Sequence, residues 1–345
     1  MSSDRFNVAI LGSGMIAEFH KAAIEANAHK GARLIAMAHY VPDRFHQIAE
    51  RYGVPCKTFG DVLSDPDVDA ICIATPSGQH GDQMIAAAEA GKHVMVEKPM
   101  ALSLAACDKA IETASAHHAR LSVALQRRAM PLFQNVKKAV DGGDLGRVTL
   151  GSVTIPYHRG QAYYDQAAWR GTWALDGGGV LMNQGIHLID LLIWFMGDPI
   201  NATATGATLQ RDVEVEDTIV ATFEFDGGAR ATVTATTTTE PGMPHRIELY
   251  GTKGGIQLEG ENPVRWTLAD PDRATVPVPE LIRSDEAGAA ADPSAISADG
   301  HIAILSDLID AVREDREPKI NGAEGRRSLA AVLKIYEAAG IGPGR

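Results

Sequence analysis

Asn7-Val-Ala-Ile-Leu11, running straight into Gly12-Ser13-Gly14-Met15-Ile16-Ala17, is the stretch that decides the fold of this chain. The uncharged run reads as a buried strand, the glycines as a turn, and Met15 to Asn27 as an amphipathic helix. A G-x-G-x-x-A turn between strand and helix lets the backbone approach a pyrophosphate at a helix N-terminus. Gly12, Ser13, Gly14, Met15 and Ile16 are therefore read as a dinucleotide cradle. A glycine turn without a ligand is the alternative, and the flanking rhythm argues against it. Working outward, Arg33 to Ala38 reads as a strand, Pro42 to Tyr52 as a helix, and Val68 to Ala74 as a strand nearly all apolar at its centre. His93-Val-Met-Val96 reads as another. This alternation to Leu125 predicts a parallel sheet with crossover helices, its ligand lying beyond the carboxyl ends of the strands.

The residue that usually grips the adenosine ribose is a carboxylate at the end of the second strand. Here the sequence reads Ala38-His39-Tyr40-Val-Pro42, with no acid. His39 and Tyr40 suit stacking on adenine or donation to either ribose form, and Arg44 stands one helical turn on. The dinucleotide is thus NAD or NADP, with NAD slightly favoured.

A chain of 345 residues exceeds what one core usually serves, and its 45% hydrophobic content suffices for two domains. Three cysteines without metal-like spacing, Cys56, Cys72 and Cys107, suit a reducing compartment, so the chain is expected to be cytoplasmic. The opening Met1-Ser-Ser-Asp-Arg-Phe lacks the regions of a signal peptide, and no apolar run approaches the ~18 residues of a membrane span. A net charge of −12 without a basic cluster speaks against nucleic acid as a partner.

After about Arg147 the pattern becomes β-rich. Thr218 to Phe225, the turn Asp226-Gly-Gly228 and Ala229 to Thr237 predict antiparallel pairing, and Gly251 to Gly255 a further hairpin. Asp270 to Gly300 reads as a long loop, and His301 to Gly340 returns to helical periodicity.

Two further stretches carry chemistry. Lys98, in Glu97-Lys98-Pro99, follows a strand at the carboxyl edge of the predicted sheet, and its bond to Pro99 is a candidate cis peptide. An ordinary solvated lysine is the alternative. Asn183, His187 and Asp190 stand at i, i+4 and i+7 on a helix otherwise apolar, so they share one face. Gly177-Gly-Gly179 ahead of it permits close backbone approach, consistent with a ligand cleft. A core histidine satisfied by Asp190 is the competing reading. His187 and Asp190 fall short of the three protein ligands a catalytic zinc wants, so no metal is expected.

With these motifs in view, the chain resembles the glucose-fructose oxidoreductase, inositol dehydrogenase and rhizopine-catabolism (Gfo/Idh/MocA) family over nearly its whole length. The resemblance rests on the glycine loop with His20, Ala74-Thr75-Pro76 with His80, Glu97-Lys98-Pro99, Gln126-Arg127-Arg128, and Gly177 through Asp190. It implies an α/β protein: an N-terminal Rossmann dinucleotide-binding domain, 1–125, and a C-terminal α+β domain, 126–345, with a large, mostly antiparallel open sheet. The C-terminal helices would pack partly back on the first domain. It further implies dinucleotide contacts from Ala74, Thr75, Pro76, His80, Glu97, Lys98, Gln126, Trp169 and Arg170, and a sugar or polyol substrate met by Tyr157, Arg159, Tyr164, Trp173, Asn183, His187 and His301. In the family the residues matching Lys98 and His187 act on the substrate hydroxyl. Many members carry Asp at Asn183; Asn accepts no proton, which leaves proton removal to His187. An Asn-Gln pair here is similar to a sub-branch that includes sugar-nucleotide 3-dehydrogenases. Homodimers or homotetramers are the expected assemblies. Two other activities fit the resemblance: cleavage of glycosides by transient oxidation on tightly bound NAD, and non-catalytic dinucleotide sensing.

Overall fold

The computed structural model describes residues 5–282 and 297–343, in two compact units. One unit is the chain up to Ala129 with Ser297–Arg326, and the other runs from Met130 and takes in the chain from Arg327 on.

The first unit holds six parallel strands: β1 (Phe6–Leu11), β2 (Ala32–Ala38), β3 (Cys56–Lys57), β4 (Ala70–Ile73), β5 (His93–Val96) and β6 (Leu121–Val123), in the order β3-β2-β1-β4-β5-β6. Helices α1 (Met15–Ala26), α2 (Phe45–Tyr52), α3 (Phe59–Ser64), α4 (His80–Glu89) and α5 (Leu104–Ala116) make the crossovers. Val8, Ile10, Leu11, Ile71 and Ile73 are fully buried, as strands covered on both faces must be. The chain order reverses between β1 and β4, which opens a crevice beyond their carboxyl ends. Pro42–Arg44 forms a short 3₁₀ turn ahead of α2, because proline starts the helix but leaves the first turn tight. Asn27 closes α1 by donating from Nδ2 to the carbonyls of Ala23, at 2.9 Å, and Ile302, at 3.0 Å. It thereby ties α1 to α9 (Asp299–Arg313), the late helix of the same unit.

The second unit is built on a seven-stranded sheet of β7 (Val148–Pro156), β8 (Pro199–Ala207), β9 (Thr218–Phe225), β10 (Arg230–Thr236), β11 (Arg246–Gly251), β12 (Gly254–Glu259) and β13 (Asn262–Leu268), ordered β13-β12-β11-β7-β10-β9-β8. Both expected hairpins form, β9 with β10 and β11 with β12, and only β7 and β10 pair in parallel. One face is apolar, with Val153, Ile155, Phe223, Val233 and Leu249 buried. Against it lies α8 (Ile186–Met196), for which Gly151 clears the way: a Cβ there would stand 3.0 Å from Leu192 Cδ1. The other face carries Thr203 on Thr222 at 2.7 Å and Ser152 on Thr232 at 3.1 Å, beside exposed Leu150, Ile200 and Val220. Helices α6 (Pro131–Asp141) and α7 (Gln161–Asp165) precede α8, and α10 (Gly322–Ala339) runs from the first unit's part of the chain into the second's. Of the long loop read from Asp270 to Gly300, the stretch 283–296 lies outside the described residues, as do the first four positions of the chain.

Candidate active site

Gly12 adopts φ +107°, and a Cβ there would lie 2.5 Å from the Ala74 carbonyl oxygen, so only glycine brings the β1 and β4 ends this close. Gly14 is the N-cap of α1 and offers no side chain to its first-turn amides; the space where its Cβ would stand is open to 4 Å. A turn with room above it and amides directed outward fits a pyrophosphate. Arg51 reaches over from α2, pairing with Glu18 at 2.6 Å and donating to the Ser13 carbonyl at 3.3 Å. At the ribose end, His39 Nδ1 accepts from the Val41 N–H at 3.1 Å, and burial followed by the Arg44 charge lowers its proton affinity. Exposed Tyr40 accepts from Gln83, whose Oε1 takes the Thr75 hydroxyl at 2.5 Å.

Lys98 is half-buried just past β5, and its peptide bond to Pro99 is cis. His80 lies between two loops, Nδ1 2.8 Å from the Pro99 carbonyl oxygen and Nε2 2.9 Å from that of Thr75. Burial lowers its proton affinity, so the neutral ring donates to one carbonyl at a time. Read as a dinucleotide contact, His80 is found to be a strut between these loops.

Glu97, also read as a dinucleotide contact, is buried, with Oε1 3.0 Å from His20 Nε2 and 2.9 Å from His301 Nε2. Burial would raise its proton affinity, but the charge and hydrogen bonds of the two imidazoles outweigh it and hold the carboxyl well below the usual range. Burial is the largest influence on His20 and lowers its proton affinity. His20, Glu97 and His301 could also converge on a cation, since their donor atoms lie within 4.8 Å of one another. Both buried Nδ1 atoms, however, lack the partner that orients a ligating ring, and both Nε2 atoms are directed at one oxygen. The cluster is a hydrogen-bonded carboxylate. His301, expected to face substrate, has 0% exposure and supports Glu97 instead. Gln126 is buried too, with Gly300 of α9 packed so closely that a Cβ would meet Gln126 Cβ at 2.5 Å.

In the second unit the expected single helical face is modified. Leu181–Gly185 forms a π turn, and α8 begins only at Ile186. Its i→i+5 bonding turns Asn183 out of α-helical phase with His187. Both side chains are half-buried. Asn183 Nδ2 donates to Asp176 Oδ1 at 2.8 Å, and Asp176 Oδ2 takes the Gly171 N–H at 2.9 Å. Asp190 is buried and accepts from the Ser328 hydroxyl. Gly178 and Gly179, read as lining a cleft, meet protein instead: a Cβ would overlap the Tyr336 hydroxyl at the former and the Glu216 carbonyl at the latter.

The aromatic segment divides. Tyr157 and Tyr164 are buried, with hydroxyls committed to His245 Nδ1 at 2.9 Å and Thr237 Oγ1 at 3.2 Å. They build the frame. The Arg170 guanidinium lies 4.2 Å from the Tyr163 ring centre and 4.6 Å from that of Trp169, while that of Arg159 lies 5.6 Å from Tyr157. Trp173 donates its indole N–H to the Glu214 carbonyl at 3.1 Å and meets Tyr336 edge-on at 5.5 Å. Glu216 and Tyr336 were not singled out in the sequence. The only signal was an acidic pair, Glu216-Asp217, at the entrance to an apolar strand.

A family profile described as "Oxidoreductase family, NAD-binding Rossmann fold" matches residues 6–125, and one described as "GFO/IDH/MocA C-terminal domain" matches 133–257. The chain is 30% identical over 273 residues to inositol 2-dehydrogenase of Rhizobium meliloti (strain 1021), covering 78% of this chain and 80% of the relative. Levoglucosan dehydrogenase of Pseudarthrobacter phenanthrenivorans is 26% identical over 290 residues, 74% of each chain. Among solved structures, the WlbA dehydrogenase from Bordetella pertussis, in complex with NADH and UDP-GlcNAcA, superposes with a TM-score of 0.86 at 32% identity over 98% of both chains.

Proposed function

Because the chain belongs to the GFO/IDH/MocA family of oxidoreductases, we propose that it moves a hydride between a ring CH–OH carbon of a sugar, glycoside, polyol or sugar nucleotide and a nicotinamide dinucleotide. The observation that carries this reading is the Gly12–Gly14 turn, open above and too tight below for any side chain. NAD or NADP, when bound, supplies the hydride acceptor or donor. The Gly12–Ile16 turn would hold its pyrophosphate, with Ala74, Thr75 and Pro76 beside it and His39, Tyr40 and Arg44 at the ribose. Trp169 and Arg170 would add an aromatic and cationic wall. His187 takes the hydroxyl proton, Lys98 stabilises the negative charge growing on that oxygen, and Asn183, fixed by Asp176, orients it. Arg159 and Trp173 would meet the sugar.

The ligand of the WlbA dehydrogenase supports sugar nucleotides within this substrate range. The β2 end without an acid supports use of either dinucleotide, with NAD slightly favoured. We place a homodimer or homotetramer contact on the outer face of the seven-stranded sheet, where Leu150, Ile200 and Val220 are exposed. A cytoplasmic location agrees with the thiol content, and among the described residues no helix is long and apolar enough to cross a membrane.

The test is reduction of NAD and NADP in parallel across free sugars, inositols, glycosides and sugar nucleotides. Reduction with one class is expected. Silence across the panel, with dinucleotide bound, would overturn the reading; release of an aglycone without net reduction would replace it with transient-oxidation chemistry.

A further inference from the structure

We propose that Glu216 and Tyr336 are positioning residues for the proton-handling pair of the second unit: together they cap the backbone that aims Asn183 and His187. The inference rests on the roles proposed above for those two side chains.

A helix start leaves amide N–H groups without intrahelical partners, and a side chain of the N-cap residue usually satisfies them. Here none does. The partners come instead from far along the chain. Glu216 Oε2 accepts from the Gly179 N–H at 2.9 Å, and Oε1 from the Leu181 N–H at 2.9 Å. Tyr336, on α10, donates its hydroxyl to Glu216 Oε1 at 2.8 Å and accepts the Met182 N–H at 3.2 Å. The Glu216 carbonyl takes the Val180 N–H at 3.0 Å. Four consecutive amides are thus held by two residues, and the missing Cβ atoms of Gly178 and Gly179 let the backbone sit directly on them. The π turn starts at Leu181, so the direction of Asn183 and of His187 follows from this anchorage.

The anchor depends on ionisation. Gly179, Leu181 and Tyr336 all donate to the carboxylate, and protonation would occupy one of its lone pairs and weaken its hold on all three. Burial pushes the Glu216 carboxyl up to about 7, with the three donors acting in the opposite direction. Among the described residues, the titratable group that faces it from α10 is Tyr336, and the helix start presents backbone amides. In its own segment, Glu214 takes the Trp173 N–H at 3.1 Å and Asp217 takes the amides of Leu209, Gln210 and Arg211. No cation among these competes with a proton for Glu216.

The experiment uses the full chain with Glu216→Gln and Tyr336→Phe. It measures kcat and KM against pH, with amide hydrogen exchange over residues 178–190. Gln presents an N–H toward a donor, so E216Q should lower kcat about tenfold, with dinucleotide KM within about twofold of wild type. Wild type should lose kcat on the acid side more steeply than E216Q, by about one in slope, because Glu216 takes up a proton there. Y336F keeps the ring, tests the same anchor if E216Q does not fold, and should speed exchange at Met182. Wild-type kcat and an unchanged acid slope in E216Q, or unchanged exchange and kcat in Y336F, would overturn the proposal. A His187→Ala control separates the two claims: full turnover there defeats the catalytic reading, while the exchange data still report on the anchor.

Discussion

One buried glutamate adjoins Lys98, another anchors the turn ahead of His187, and they sit in opposite surroundings. Glu97 adjoins Lys98 and is held by two imidazoles, His20 and His301. Glu216 anchors the turn that leads to His187 and is held by backbone amides and one phenol. Burial penalises both charges. It is overcome at Glu97, whose carboxyl stays well below the usual range, and prevails at Glu216, pushed up to about 7. Backbone amides and a phenol satisfy a carboxylate's geometry without keeping it ionised, whereas two imidazoles converging on one oxygen also lower its proton affinity.

Each carboxylate supports a group proposed to react. The largest effect therefore belongs to Lys98→Ala, expected to cut turnover by about 10²–10⁴-fold with dinucleotide affinity, read by fluorescence titration, nearly intact. Unchanged turnover would break the first half of the comparison. Next comes Glu97→Gln, which leaves two buried imidazoles facing an amide and should cost on the order of 3 kcal/mol in urea unfolding. A loss under about 1 kcal/mol would show that the imidazoles are not bound up with its charge.

The pH dependence of stability separates the pair by sign. Glu97 has a lowered folded-state affinity for protons, so its contribution is present above about pH 4.5 and lost as pH falls below that. Glu216 has a raised one, so its contribution is full below pH 4.5 and lost as pH rises from there to about 7, at most on the order of 3 kcal/mol. Melting of wild type and E216Q between these limits should give curves that are not parallel; parallel ones would remove the contrast. The smallest effect is that of Tyr336→Phe, about 1 kcal/mol for one hydroxyl.

Much of the first unit was legible because its signals are local. Gly12 to Ala17 is a strand, a turn and a helix within reach of one another in the chain, and Lys98 follows its strand directly. The second unit was legible in its hairpins, where Asp226-Gly-Gly228 and Thr252-Lys253 mark the turns. The parallel contact of β7 with β10 joins segments about eighty residues apart and leaves no mark on either. The π turn was hidden for a related reason. The groups that hold its first amides, a carboxylate and a phenol, come from distant segments, while Leu181 to Gly185 by themselves fit an α-helix. Gly178 and Gly179 announced a close approach without saying to what, and His301 carried a histidine's chemistry without its burial.

Glu97 and His301 are 204 positions apart, yet they belong to the same unit. At roughly 5–20 residues per second, a ribosome takes about 10–40 s to pass from one to the other. Throughout that interval the portion of the first unit already made is missing α9, and its buried carboxylate has one imidazole in place of two. The first unit is completed only after most of the second has been made, so the nascent chain carries an unfinished core while the second unit is being built.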